Sequence, residues 1–355
     1  MAKRRAAMTA VAPRLLAWFQ AARRDLPWRR RRDPWAIWVS EVMLQQTRVE
    51  AVRLPFERFL LRFPTPAEFA AATDDELLVA WRGLGYYRRA RLLRDGARTV
   101  VRDHGGIVPP SLEQLARLPG IGDYTGGAVA SIAFGVPVAA IDGNVERVVA
   151  RHRGIRGDVA RVPARGEVRR VVGEWLDPRR PGDFNQALME LGALVCTPAA
   201  PRCDACPIAA DCVARRAGLV DRLPERAPRR TPQRVSARAI LVLDRQGVLG
   251  YRLGPEEPNA GQIDLPGGGV LASVDPADLA GVIARRFGAR VDVGSPVAAV
   301  RHAITCHRIT LTVHAATVQR RGRLQRFPLT EGTPWTTTAR KIFAAVVGAR
   351  GEAEA

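Results

Sequence analysis

Leu-Ala-Arg-Leu-Pro-Gly-Ile-Gly-Asp-Tyr-Thr runs from Leu115 to Thr125, and Ile-Asp-Gly-Asn-Val follows at Ile141 to Val145. The first stretch reads as a helix, a tight Pro-Gly-Ile-Gly turn and a second helix. Glycine takes backbone angles closed to other residues and leaves no side chain in the way, so Gly120 and Gly122 are expected to turn the amides outward together. Unpaired N–H groups at the start of the next helix suit a phosphate. That helix, Thr125 to Phe134, is built of small and apolar residues and is expected to be buried. The chain then delivers Asp142 beside Gly143 and Asn144. The pattern points to a DNA backbone clamp with a carboxylate held beside it. An ordinary helical hairpin shares the same turn, so the rest of the chain must decide.

Composition narrows the class. A chain of 355 residues has room for two domains with sizeable cores. Hydrophobic residues make up 47% and charged residues 25%, as in a soluble globular protein. Net charge is +20, which favours a polyanionic partner. No apolar run approaches the roughly 20 residues of a membrane-spanning helix. Met1 to Ala12 is basic without the apolar core of a secretion signal, so a cytoplasmic, nucleoid-associated location and no membrane partner are expected.

Four of five cysteines, Cys196, Cys203, Cys206 and Cys212, follow a C-x6-C-x2-C-x5-C spacing; Cys306 stands apart. Clustering of this kind in a reducing compartment favours metal over disulfides. Four thiolates hold either zinc or an iron–sulfur cluster. The six-residue first gap is longer than the short gap usual in zinc ribbons.

From Pro13 to about Arg216 the apolar spacing is helical, with breaks at Leu26-Pro27-Trp28 and Gly83-Leu84-Gly85. No strand is expected before residue 235. Leu219 to Val235 holds three prolines and five arginines and reads as a linker. Strands are expected at Val235–Leu243, Gly247–Leu253, Val297–Val300, Arg308–Val313 and Ala315–Gln319, with a helix at Asp275–Phe287. The expected organisation is therefore a mainly α domain over 13–218, a linker over 219–235 and a small α+β domain over 236–346.

Within Pro34–Thr47, Glu41 is the only charged residue. A carboxyl among apolar neighbours has a raised pKa and stays protonated near neutrality, as a general acid must. Gln45, Gln46 and Thr47 add groups able to read base edges. Glu41 with Asp142 would make a pair of unlike carboxylates, one to protonate a leaving group and one to stabilise a sugar cation. In Gly83-Leu84-Gly85-Tyr86-Tyr87-Arg88-Arg89, rings can wedge between bases while the arginines hold phosphate.

LPGIGDYTGGAVAS, IDGNVERV, SEVMLQQTRV, GLGYYRRAR and the cysteine spacing together resemble the adenine DNA glycosylases of the MutY type, in the helix-hairpin-helix superfamily that includes endonuclease III. The resemblance implies a helix-hairpin-helix glycosylase domain with a [4Fe–4S] cluster and a Nudix-like C-terminal domain for lesion recognition. The implied reaction removes adenine mispaired with 8-oxoguanine or guanine in double-stranded DNA, by a monomer. By the same resemblance Glu41 is the general acid, Asp142 faces the sugar cation, and Tyr124 and Asn144 support them. Arg29 helps hold the flipped adenine. Gln46, Thr47, Leu84 and Tyr86 surround the opposite 8-oxoguanine, Tyr86 as the wedge. Gly120 and Gly122 bind phosphate, and Cys196, Cys203, Cys206 and Cys212 hold the cluster. Lyase relatives carry a lysine where this chain has Tyr124, so a monofunctional enzyme is expected. The alternatives are a related glycosylase with another base preference, or a non-catalytic iron–sulfur mismatch sensor.

The second domain departs from the family. A Nudix hydrolase motif laid on Gly267 puts Ser273, Gly281, Val282, Arg285 and Arg286 where magnesium-binding and catalytic groups belong, so no nucleotide hydrolysis is expected. The family's Phe-Ser-His loop is replaced by Ile304-Thr305-Cys306, followed by His307. Thr305 keeps a hydroxyl, and a one-residue slip would bring His307 into service. Altered lesion selectivity is the expectation.

Overall fold

A computed structural model describes residues 11–225 and 231–353. Apart from Val11 and Ala12, the basic N-terminal stretch lies outside the described residues. The helices in chain order are α1 (Val11–Ala22), α2 (Pro34–Leu44), α3 (Val49–Arg62), α4 (Pro66–Ala70), α5 (Asp74–Ala80), α6 (Arg88–His104), α7 (Leu112–Ala116), α8 (Asp123–Phe134), α9 (Gly143–Arg153), α10 (Ala164–Trp175), α11 (Pro181–Leu194) and α12 (Val213–Arg216). The described residues form two units, 11–71 with 88–225 and 72–87 with 231–353. Residues 72–87 thus group with the C-terminal part, although sequence order placed them inside the helical domain. Long-range pairing is the reason: Arg252 meets Asp75 at 2.6 Å, and Arg82 donates to the carbonyls of Glu331 and Thr333.

In the helical unit, Asp33 starts α2 by accepting the N–H groups of Trp35 and Ala36 at 3.2 and 3.1 Å, with Pro34 in the first turn where its missing N–H costs nothing. Every residue from Trp35 to Met43 is buried, so α2 is a core helix rather than an amphipathic one. Trp35, Phe59, Phe63 and Phe69 pack around its start, with ring centroids 4.8 to 6.3 Å apart. A second core joins Leu15 and Phe19 of α1, Val149 of α9, Val171 and Trp175 of α10, and Leu188 and Leu191 of α11. Each such side chain removed from water contributes about 1.5–3 kcal/mol. Cys196 and Cys206 pack against this core.

Of the expected linker 219–235, residues 226–230 lie outside the described residues, and its ends pack into ordered structure. Leu223 is buried, its carbonyl accepts Arg151 Nε at 2.9 Å, and Glu225 accepts the Gly157 N–H at 2.8 Å. At the other end the first strand has already begun at Gln233.

The second unit holds β1 (Gln233–Leu241), β2 (Leu243–Asp244), β3 (Gly247–Arg252), β4 (Ile263–Asp264), α13 (Leu279–Phe287), β5 (Arg290–Ile304), β6 (His307–Arg320), β7 (Gln325–Phe327) and α14 (Thr337–Ala353). One sheet runs β1-β6-β5, with β1 parallel and β5 antiparallel to β6. The other runs β2-β3-β4, with β7 also on β3. The two strands expected at 308–313 and 315–319 are one strand, and the third reaches from 290 to 304. Register shifts around Pro296 break the alternation that would have announced the full hairpin. One core gathers Val313, Trp335 and Ile342; another gathers Leu249, Ile283 and Phe287.

Candidate active site

The Leu115–Thr125 hairpin acts through Gly120, whose φ is +79° and whose Cβ, if present, would fall 2.8 Å from Leu92 Cβ. Gly122 differs from expectation: with φ −96° and ψ −178° it is extended backbone, open to any residue, and a Cβ there would meet nothing within 4 Å. Its contribution is open space in front of the α8 amides. Two residues on, Tyr124 points inward, and its hydroxyl donates to Glu41 Oε2 and lies 3.3 Å from Met189 Sδ.

Glu41 is 6% exposed. Burial raises its pKa to about 7, helped by the nearby Asp142 and opposed by the Tyr124 hydrogen bond and the Arg29 charge. Burial also raises Tyr124 well above the usual phenol value, with the Glu41 and Asp142 charges acting the same way. Tyr124 is therefore a donor and not a base.

Asp142 is the N-cap of α9. Its Oδ1 accepts the N–H groups of Asn144 and Val145 at 2.9 and 2.8 Å, and Oδ2 accepts Asn144 Nδ2 at 2.7 Å. Burial raises its pKa despite these donors. Asn144 is fixed in turn: Arg147 Nη2 donates to its Oδ1 at 2.8 Å and to the Gly192 carbonyl at 2.9 Å. A Cβ on Gly192 would lie 2.5 Å from Asn144 Cβ, so α11 can approach the α9 start only with glycine there.

Glu41, Tyr124, Asp142 and Asn144 face one cleft of about 580 Å³, which Arg29, Gln46 and Thr47 also line. Gln46, at φ +57°, follows the α2 C-cap, Gln45. Glu190 on the same cleft was not singled out, although it is the lone charge of Phe184–Val195, the signal that marked Glu41; only the fold brings α11 against the Arg24–Arg29 segment. It is 2% exposed; Arg24 reaches it through Nε and Nη2 at 2.9 and 2.7 Å, and Arg29 through both terminal nitrogens at 3.0 Å. Burial works to raise its pKa, but the two arginines together outweigh it and hold Glu190 at about 2. Arg29 is thus engaged by a carboxylate.

Arg89, expected to hold phosphate, instead caps α2: its guanidinium donates to the carbonyls of Val42, Met43 and Gln45 and to Thr47 Oγ1. Helix C-termini leave such carbonyls unpaired, and a cation suits them. Within the second unit Leu84 is 4% exposed, whereas Tyr86 is 49% exposed at φ +48°. Thr305, at φ +51°, turns β5 into β6, and His307 Nδ1 lies 3.3 Å from the Ile304 carbonyl.

Cys196, Cys203, Cys206 and Cys212 line one small cavity of about 30 Å³. Cys206 is pushed up to about 11, mainly by burial, and all three other thiols add to the rise. Among the described residues no three His, Cys, Asp or Glu side chains gather as a single metal ion requires.

Residues 39–178 match the family model described as HhH-GPD superfamily base excision DNA repair protein. The chain is 46% identical over 220 residues to an adenine DNA glycosylase of Homo sapiens, a match covering 59% of this chain and 40% of that one. It is 44% identical over 195 residues to an adenine DNA glycosylase of Mycobacterium tuberculosis, covering 55% and 64%. The solved structure of a thermostable thymine-DNA glycosylase superposes with a TM-score of 0.55 at 28% identity, covering 60% of this chain and 98% of that one. The chain spans about half the length of the mammalian relatives it matches, 40% to 51% of each.

Proposed function

We propose that the chain is a monofunctional adenine DNA glycosylase acting on adenine opposite 8-oxoguanine or guanine. The observation that carries the proposal is the pair of unlike carboxylates on one cleft: Glu41, buried and near neutrality, and Asp142, fixed by the first turn of α9. The family match supports base excision, and the adenine glycosylase relatives support the base chosen.

In this mechanism the adenine leaves the duplex, at a cost of a few kcal/mol, and enters the cleft. Glu41 protonates it, which makes it a better leaving group. Tyr124 holds Glu41 Oε2, leaving Oε1 to carry the proton. Asp142 stabilises the oxocarbenium-like sugar and water completes hydrolysis. Tyr124 cannot form the Schiff base of lyase chemistry.

The four cysteines line one cavity and are the thiolate set that would hold a [4Fe–4S] cluster. When bound, the cluster would cross-link the loop after α11 and add a redox-active centre. Arg151 donates to the Thr197 carbonyl at 2.6 Å and Arg147 to the Cys196 carbonyl at 2.8 Å, so α9 ties this loop to the segment that begins at Asp142.

The second unit we read as a Nudix-like recognition module without hydrolase activity. Arg286 bonds the Gly267 carbonyl and the Tyr251 hydroxyl, each at 2.8 Å, where a hydrolase would need carboxylates for magnesium. Its tight Ile304–His307 turn is the basis for altered lesion selectivity. The deciding experiment is single-turnover excision of adenine opposite 8-oxoguanine, guanine and cytosine, with thymine opposite guanine as the rival substrate. Glu41→Gln and Asp142→Asn should each cut adenine excision by about 10³-fold with DNA binding kept. Full activity in either variant, or faster thymine removal, would overturn the assignment. An 8-oxoguanine preference equal to that of an enzyme with an intact Phe-Ser-His loop would remove the selectivity proposal alone.

A further inference from the structure

Six arginines, Arg23, Arg29, Arg31, Arg32, Arg179 and Arg180, line a second cleft of the helical unit, about 170 Å³ in volume. Two of them are already engaged. Arg29 serves Glu190, and Arg180 pairs with Asp183 at 2.8 Å. Arg23 acts on the nearby Asp25, and the side chains of Arg31, Arg32 and Arg179 make no ion pair or hydrogen bond among the described residues. Guanidinium groups gathered round one concavity repel one another unless an anion joins them.

A second, independent feature faces the same place. The 14-residue helix α11 begins there, with Pro181, Gly182 and Asp183 on the cleft wall. The first-turn N–H groups of Gly182 and Asp183 have no intrahelical partner, and they carry the positive end of the helix dipole. Planar guanidinium forks beside a helix N-terminus match the paired oxygens of a phosphate, which a spherical halide lacks.

We propose that this cleft is a second anion site, separate from the carboxylate cleft, that takes a phosphate group. It shares Trp28, Arg29 and Gln186 with the carboxylate cleft, so a phosphate bound here sits across a common wall from Glu190. Two sources present this chemistry: a backbone phosphodiester of a bound DNA strand, or a soluble polyphosphate. The site does not depend on the glycosylase assignment, because it is read by binding and not by excision.

The test is titration calorimetry of the full chain with pyrophosphate and with an unmodified single-stranded oligonucleotide, the latter across a salt series. The cleft variant is Arg32→Ala with Arg179→Ala. The charge-matched control is Arg98→Ala with Arg102→Ala on α6, away from this cleft, and unfolding midpoints confirm that both variants fold. For a strand phosphate, the cleft variant should bind the oligonucleotide about tenfold more weakly at low salt, with a salt slope reduced by roughly 1.4, two contacts at about 0.7 each. For a soluble polyphosphate, pyrophosphate should bind the wild type and lose its site in the cleft variant, with oligonucleotide binding kept. Equal losses in cleft and control variants, or no loss in the cleft variant, would overturn the proposal.

Discussion

Glu41 and Glu190 line the same cleft, and both are nearly sealed from water, at 6% and 2% exposure. Burial pushes both towards the neutral form. Glu41 gets one neutral donor, Tyr124, with Asp142 nearby, and stays at about 7. Glu190 gets two guanidinium groups in bidentate contact and falls to about 2. The contrast teaches that burial alone does not make a general acid. What makes one here is burial with the cations held elsewhere, by Glu190 in the same cleft.

That contrast can be broken most directly at Glu190. Glu190→Gln leaves Arg24 and Arg29 without their buried anion, and stability should fall by about 3–5 kcal/mol. Denaturant unfolding measures this; a loss below 1 kcal/mol would mean that the arginines are hydrated and the pair is not structural.

Glu41 should show the opposite sign. Its folded pKa is raised from 4.5 to about 7, so between those values the folded chain keeps a proton that the unfolded chain has released. Stability therefore falls as pH rises through that window, by of order 3 kcal/mol once both values are passed. Glu41→Gln removes the cost, so this variant should be more stable than wild type at pH 8 and about equal at pH 5. Thermal unfolding at the two pH values checks it, and no pH dependence in the difference would remove the raised pKa. Excision should decline above about pH 7, as the acid loses its proton.

The smallest effect sharpens how Asp142 is placed. Gly192→Ala puts a Cβ 2.5 Å from Asn144 Cβ and should cost about 1–3 kcal/mol while slowing excision. Gly122→Ala, with nothing within 4 Å, should leave stability nearly unchanged. Equal costs at the two glycines would show that the α9–α11 approach is not the constraint.

Much of the cleft was legible before any coordinates. Glu41 stood out because it is the only charge in an apolar helix, and Asp142 because the chain delivers a carboxylate beside Gly143 and Asn144 just after the hairpin. Glu190 is likewise the lone charge of Phe184–Val195, but its role was not legible, because the arginines that hold it lie more than 160 positions away. Arg89 was misread for the same reason. Beside Tyr86 and Tyr87 it looks like a phosphate contact, but the carbonyls it satisfies belong to another helix. The grouping of residues 72–87 with the C-terminal unit likewise rests on pairs such as Arg252 with Asp75, which no local pattern announces.

By itself the sequence determined the helical and α+β halves, the hairpin turn, the cysteine set and the two carboxylates. Each is written in local spacing, capping residues and backbone preference, which act over a few positions. Only the tertiary structure decided which carboxylate keeps its proton, which arginines are spent on buried anions and which still face an open cleft. Those outcomes depend on solvent exclusion and on charges brought together from distant helices, and both exist only once the chain has packed.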